Sequence, residues 1–188
     1  GSLEVDYFYR VINDYITIAP DVGVRKRLPL SPPMVFRYIQ SDEARFHGLD
    51  FRAQSPVTDW IEVFSVWSYV HATDTRVDEP LFGIAPHQQR YGMTWHTPDR
   101  AYEVSLIVTG TSGQDRVAKS RFEQSSEGWT TIDLQATFPV VDGLILRAGV
   151  KNLTDEFYVN HLNSFNPFTG ARIAEVGRRA YVGTEYAF

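Results

Sequence analysis

The alternation of apolar and polar side chains is clearest over residues 129–140, where Thr130, Ile132, Leu134, Ala136, Phe138 and Val140 alternate with Trp129, Thr131, Asp133, Gln135 and Thr137. A period of two puts one set on each face of a β-strand. The same pattern sets Leu144, Leu146, Ala148 and Val150 against Arg147, Gly149 and Lys151. It sets Tyr102, Val104, Leu106 and Val108 against Glu103, Ser105 and Thr109. Near the end, Ala180, Val182, Thr184, Tyr186 and Phe188 oppose Arg179, Gly183 and Glu185. Further strands are expected over residues 3–18, 44–54, 60–72 and 88–96, the third with apolar side chains on both faces and an ambiguous register. No stretch of ten residues carries a helical period, so the expected class is all-β with about eight strands.

The links between these strands alternate in length. Short ones are expected at 55–58, 97–100 and 140–143, and long ones at 19–33, 73–87, 113–128 and 153–177. Short turns at one rim and long loops at the other are the habit of antiparallel up-and-down transmembrane barrels, with the turns periplasmic and the loops extracellular. Threaded this way, Trp95, Tyr102, Phe138, Tyr186 and Phe188 come to the short-turn rim on the apolar face, where rings with a polar edge suit the boundary between lipid tails and headgroups.

Composition does not oppose this. The chain has 188 residues, 43% of them hydrophobic, with a net charge of −5 and no cysteine; its mean hydropathy is −0.25. No run approaches the roughly 18 to 20 apolar residues of a membrane-spanning helix, but a barrel strand exposes only alternate residues to lipid and leaves little mark on an averaged hydropathy. Lys and Arg are scattered, which argues against nucleic acid as a partner. Without cysteine there is no disulfide framework, thiolate metal cluster or cysteine nucleophile. No G-x-S-x-G elbow, phosphate-binding glycine loop or H-E-x-x-H motif occurs, so no enzyme and no cofactor is expected.

Several segments, taken in order, resemble the C-terminal strands of TonB-dependent outer-membrane receptors. They are Glu-Pro-Leu-Phe-Gly-Ile-Ala-Pro at 79–86, Arg-Tyr-Gly-Met at 90–93, Gln-Asp-Arg-Val at 114–117, and Ala-Gly-Val-Lys-Asn-Leu-Thr-Asp-Glu-Phe-Tyr at 148–158. His-Leu-Asn at 161–163 and Gly-Arg-Arg-Ala-Tyr-Val-Gly-Thr-Glu-Tyr-Ala-Phe at 177–188 complete the series. Residues 3–18 and 45–53 look like two further receptor strands. Read without the family, Asn152 and Asp155 are residues that bond nearby backbone and so stop a strand and begin a loop.

The resemblance implies that residues 1–188 are the C-terminal segment of a barrel of about 22 strands around a separate plug, about a third of its wall. The plug, energy-coupling segment, earlier strands and secretory leader are expected to lie outside this chain. It implies a place in the bacterial outer membrane and energy-coupled uptake of a metal complex of siderophore type or a similar scarce nutrient. The implied partners are outer-membrane lipid, the barrel-assembly machinery, the TonB complex acting through the plug, and a small-molecule or metal-chelate substrate. Tyr181, Gly183, Tyr186 and Phe188 match the assembly signal of the family's last strand.

Candidate ligand contacts fall in the expected outer loops. Arg116, Arg121 and Arg172 offer planar donor forks to an anionic chelate, and His161 shares the longest loop with Asn160 and Asn163. The ordinary reading of each is a solvated loop residue. His47, His71, His87, His96 and His161 show none of the close spacing of helical or finger-like metal ligands, so no metal site is expected. Two other architectures are open: a complete eight-stranded outer-membrane barrel with a structural or adhesive role, and a soluble β-sandwich binding module whose apolar faces meet in a core.

Overall fold

The structure is a computed structural model that describes residues 1–25, 34–166 and 169–186. Its strands are β1 (Ser2–Arg25), β2 (Met34–Thr58), β3 (Ile61–Asp74), β4 (Glu79–Pro80), β5 (Gln88–His96), β6 (Glu103–Thr111), β7 (Trp129–Val141), β8 (Leu144–Lys151) and β9 (Arg179–Tyr186). Apart from β4, which pairs with the far end of β3, each strand lies antiparallel beside its neighbour in the chain. Among the described residues, β1 and β9 form the two edges and the sheet is open. The helical content of the described residues is one 3-10 turn, Lys119–Arg121.

Three boundaries depart from the sequence expectation. Residues 19–25, within the link expected at 19–33, continue β1, and residues 34–43, expected in no strand, continue β2, paired as far as Arg25 with Met34. Pro20 and Gly23 read as breakers, yet a projecting two-stranded ribbon leaves half of each strand's N–H groups facing solvent, where a proline is tolerated. The first short turn falls at Asp59 and Trp60 rather than at 55–58, after a register shift between Pro56 and Thr58. The long links 75–87 and 112–128 contain β4 and the 3-10 turn, both too short to carry a period.

Register decides the faces. Across the sheet the opposed residues run Leu3, Ala53, Ser65, Tyr91, Val108 and Ile132 in one row, and Trp95, Val104, Ala136, Ala148 and Val182 in another. Directly opposed residues share a face, so the apolar sets of all eight long strands merge into one continuous surface. It is exposed: Leu3, Val5, Tyr7, Tyr9, Leu49, Trp67, Met93, Leu106, Leu134 and Val182 are each at least 38% accessible. Among the described residues no second sheet covers it, and the expectation of a soluble sandwich with apolar faces meeting in a core is not met. β3, ambiguous in sequence, sends Val63, Trp67 and Tyr69 to this face and Glu62, Phe64 and Val66 to the other.

The opposite face is polar and crowded. Glu4 pairs with Arg52 at 3.5 Å, Arg100 with Glu62 at 3.0 Å and Arg147 with Glu185 at 2.7 Å, and Thr94 and Ser105 hydroxyls meet at 2.8 Å. The Phe64 ring lies over Gly92, where a Cβ would come within 2.0 Å of it. Arg90 sits above the same ring at 5.8 Å.

At the short-turn rim Trp60, Trp95, Tyr102 and Tyr186 are exposed, with Phe138 half-buried beside Leu146. The expected aromatic girdle is therefore present in Trp95, Tyr102, Phe138 and Tyr186; Phe188 lies outside the described residues. The short β7–β8 turn and the long β8–β9 loop stand at opposite ends of β8, as the alternation of link lengths requires. Asp14, at φ 54°, interrupts the alternation of β1, and beyond it Tyr15 turns inward to pack edge-on against Phe46, centroids 6.0 Å apart.

Leu134→Arg should cost roughly 2 to 4 kcal/mol, the penalty for a charge facing hydrocarbon at mid-membrane, whereas the polar face should tolerate Gln135→Arg. Heat-modifiable migration of membrane-extracted full-length protein reads both, and equal behaviour of the two variants would contradict the face assignment.

Candidate functional site

At the long-loop end, the loops between β3 and β5, β6 and β7, and β8 and β9 fold inward over the polar face. A small core holds them there: Ala44, Ala72 and Leu81 are fully buried, with Tyr15, Phe46 and Ile84 packed around them. The Leu81 amide donates to the Ala72 carbonyl at 3.1 Å, and the Gln114 side chain donates to the Ile84 carbonyl at 3.1 Å.

Two buried carboxylates organise the rest. Asp74, fully buried at the end of β3, accepts from the Ser41 hydroxyl at 2.6 Å and from the Arg76 amide at 3.1 Å. The guanidinium of Arg121, 4% exposed, closes an ion pair with it. Burial works to raise the Asp74 pKa, but the hydrogen bonds from Ser41 and Arg121 and from the Arg76 amide outweigh it and hold the carboxyl below its ordinary range.

Glu123 is the second hub. Its Oε1 accepts from the Gly83 amide at 2.8 Å and faces His161 Nε2 at 3.2 Å, while Oε2 accepts from the Ala118 amide at 2.7 Å. A carboxylate only accepts, so His161 carries a proton on Nε2, and its Nδ1 lies in hydrogen-bond contact with the Ser126 hydroxyl at 3.0 Å. Burial again pushes upward and loses to His161 and the two amides, leaving Glu123 below the usual carboxylate range. One side chain thus ties together three loops far apart in sequence.

The last loop is braced in the same way. Asn152, at φ 51°, ends β8 by exchanging two side-chain hydrogen bonds with the backbone of Glu156, at 2.8 and 2.9 Å. Asp155 accepts from the Arg178 amide at 2.8 Å. Asn160 and Asn163 both donate to Glu175, at 2.6 and 2.9 Å. Arg172 donates to the carbonyls of Ser125 and Gln124, at 3.1 and 2.6 Å, with its guanidinium 5.0 Å from the Phe165 ring centroid. Burial lowers its pKa, against a smaller opposite pull from Glu123.

Between these loops lies a cavity of about 340 Å³ with Trp129, Phe157, Tyr158, Glu127, Glu156 and Arg172 among its lining. Trp129 and Tyr158 lean together, centroids 4.3 Å apart. Aromatic faces, a guanidinium and two carboxylates can hold a planar or cationic group by stacking and directed hydrogen bonds.

The structure brings His161, Arg172 and the 121–126 segment together and sets Arg116 apart, exposed on the β6–β7 loop. Arg121 and His161 are buried and internally partnered rather than open to the mouth, and Asn163 is tied to Glu175. Of the assembly-signal residues, Tyr181 lies against Gly149 on the polar face, Gly183 shares that face, and Tyr186 lies on the apolar one opposite Leu144. Asp74, Ser41, Glu123, Trp129 and Tyr158 were not singled out from sequence. No spacing could have found the hubs, since their side-chain partners lie 33 to 47 residues away. Among the described residues no three His, Asp or Glu side chains converge as a metal site.

The family model described as "TonB dependent receptor-like, beta-barrel" matches residues 1–153. The "Iron-regulated outer membrane virulence protein" of Vibrio cholerae serotype O1 is 26% identical over 154 residues, covering 80% of this chain and 22% of that protein. The "Hemoglobin and hemoglobin-haptoglobin-binding protein A" of Haemophilus influenzae is 29% identical over 158 residues, covering 74% of this chain and 15% of that protein. The chain therefore spans less than a quarter of the length of either relative. The solved structure of "Copper transporter OprC" superposes with a TM-score of 0.88 at 20% identity, over 99% of this chain and 29% of that one.

Because both carboxylates are depressed in the folded state, the stability they contribute is present above the ordinary carboxylate range near pH 4 and is lost as pH falls through their folded values. Hydrogen exchange over residues 112–128, corrected for intrinsic rate, should stay slow from pH 7 to 5 and quicken sharply only in stronger acid. Asp74→Asn and Glu123→Gln should each flatten that acid response. Arg121→Met, which strands a buried carboxylate, should cost roughly 3 to 5 kcal/mol of local stability.

Proposed function

This chain belongs to the TonB-dependent receptor β-barrel family, and we propose that it forms the C-terminal part of the wall of an outer-membrane receptor that takes up a metal complex of siderophore type. It is an outer-membrane protein built from antiparallel barrel strands, and its relatives are receptors and transporters rather than enzymes. One observation carries the uptake reading. A continuous lipid-compatible face backs a polar one, and three long loops fold over the polar face at a single end, as a vestibule above a conduit requires. Among the described residues β1 and β9 are the edges of an open sheet, which favours a segment of a wider wall over a complete eight-stranded barrel.

In this reading Arg172 and the Trp129–Tyr158 pair contact the cargo. Arg121, His161 and Asn163 act through shape, by keeping the loops folded. Energy coupling enters through the plug and TonB, outside this chain. Iron regulation, haemoglobin binding and copper transport in the names of similar proteins support a metal-bearing cargo.

Cells lacking the full-length receptor should fail to grow on one iron, haem or copper complex as sole source. Arg172→Gln should weaken surface binding of that complex by about tenfold with normal barrel assembly, as expected for loss of a charged hydrogen bond. Unchanged uptake of every complex after deletion would sink the proposal.

The last strand carries a separate proposal, that Tyr181, Gly183, Tyr186 and Phe188 form the signal read by the barrel-assembly machinery. Deleting Phe188 should reduce the heat-modifiable, folded fraction far more than His161→Ala does. Equal folded fractions would refute the assignment.

A further inference from the structure

The apolar face carries one polar cluster that transport leaves unused. On β2 and β3 its run of apolar side chains ends with Leu49 and Tyr69, and the next row toward the long loops is His47 opposite His71, with Tyr9 beside them. The two imidazoles stack, centroids 4.4 Å apart and planes within 22°. Tyr69 places its hydroxyl 3.3 Å from His71 Nδ1, and His87 sets its ring edge-on to Trp67 and Tyr69.

The groups facing this pair are mostly cationic or aromatic. β1 supplies Tyr9 and Val11, β3 supplies Tyr69 and Thr73, and the loops supply His87 and Arg116. β2 supplies Arg45, whose guanidinium is already taken by Glu43 at 2.6 Å. Arg116 and His47 are the chargeable neighbours of His71, so an anion placed there is attracted by groups that repel one another.

The location decides which anion. The cluster begins where the lipid-facing surface stops, at the long-loop end, which is the headgroup level of the outer leaflet. A lipid whose chains lie along Leu49 and Trp67 brings its phosphate to the imidazoles, whereas a free phosphate gains nothing from the apolar surface below. We propose that His47, His71 and Arg116 form an outward-facing site for the phosphate of an anionic outer-leaflet lipid, held more tightly as the imidazoles gain protons. The inference rests on the membrane placement of the strands and not on which cargo is taken up.

The test uses delipidated full-length receptor titrated with dioctanoyl phosphatidylglycerol at pH 6 and pH 8, with bound lipid counted by native mass spectrometry. Wild type should bind more tightly at pH 6. His47→Asn with His71→Asn should abolish that pH dependence, and Arg116→Gln should weaken binding about fivefold at both pH values, the effect of one basic residue near a lipid surface. Three results would overturn the site: wild-type affinity and pH response in the double variant, equal binding of dioctanoyl phosphatidylcholine, or competition by inorganic phosphate at the lipid's own concentration. If heat-modifiable migration shows that the double variant does not fold, Arg116→Gln decides, since its loop lies outside the membrane.

Discussion

A strand surrounded by hydrocarbon cannot leave its backbone N–H and C=O groups unpaired, because each unpaired group costs several kcal/mol where water is absent. Every other feature of this chain follows from how that demand is met. Neighbouring strands pair antiparallel in chain order through short turns such as Asp142-Gly143, where Gly143 takes a φ of 76° that a Cβ disfavours. Once the ladder is in place, the period of two sends Leu106, Leu134 and Val150 to one side and Glu103, Gln135 and Arg147 to the other. The register therefore creates both the apolar surface that meets lipid and the polar surface behind it. A slip of one residue on any strand would exchange them.

The same demand takes another form at the rim. Loops folded over the polar face bury backbone amides that have no ladder to join, and Asp74 and Glu123 accept them. Gly83, Ala118 and Arg76 amides each find a carboxylate oxygen there. These carboxylates are themselves buried and keep their charge through Arg121, Ser41 and His161 together with the same amides, and removing Arg121 would leave the Asp74 charge uncompensated. The loop cluster is held mainly by the polar contacts around Asp74 and Glu123 and not by a large apolar core, and Arg121 Nη1, Trp129 Nε1 and Arg172 Nε are buried in it without a hydrogen-bond partner among the described residues. The cavity beside Trp129 and Arg172 gains its shape from those contacts.

The alternating pattern, the rhythm of short and long links, the aromatic girdle and the face on which Leu134 or Gln135 stands were all legible in the sequence, because they depend on backbone geometry with a fixed period and need no knowledge of distant contacts. Asn152 was legible as a strand stop for the same reason, its hydrogen bonds reaching only four residues along. The extent of the β1–β2 ribbon, the ion pair of Arg121 with Asp74, the place of His161 beneath three loops and the stacking of His47 on His71 were decided only by the tertiary structure. Each is a meeting of side chains from separate strands or loops. Solvated loop arginines and buried structural ones look alike in sequence, since what separates them is whether a carboxylate many residues away is folded against them.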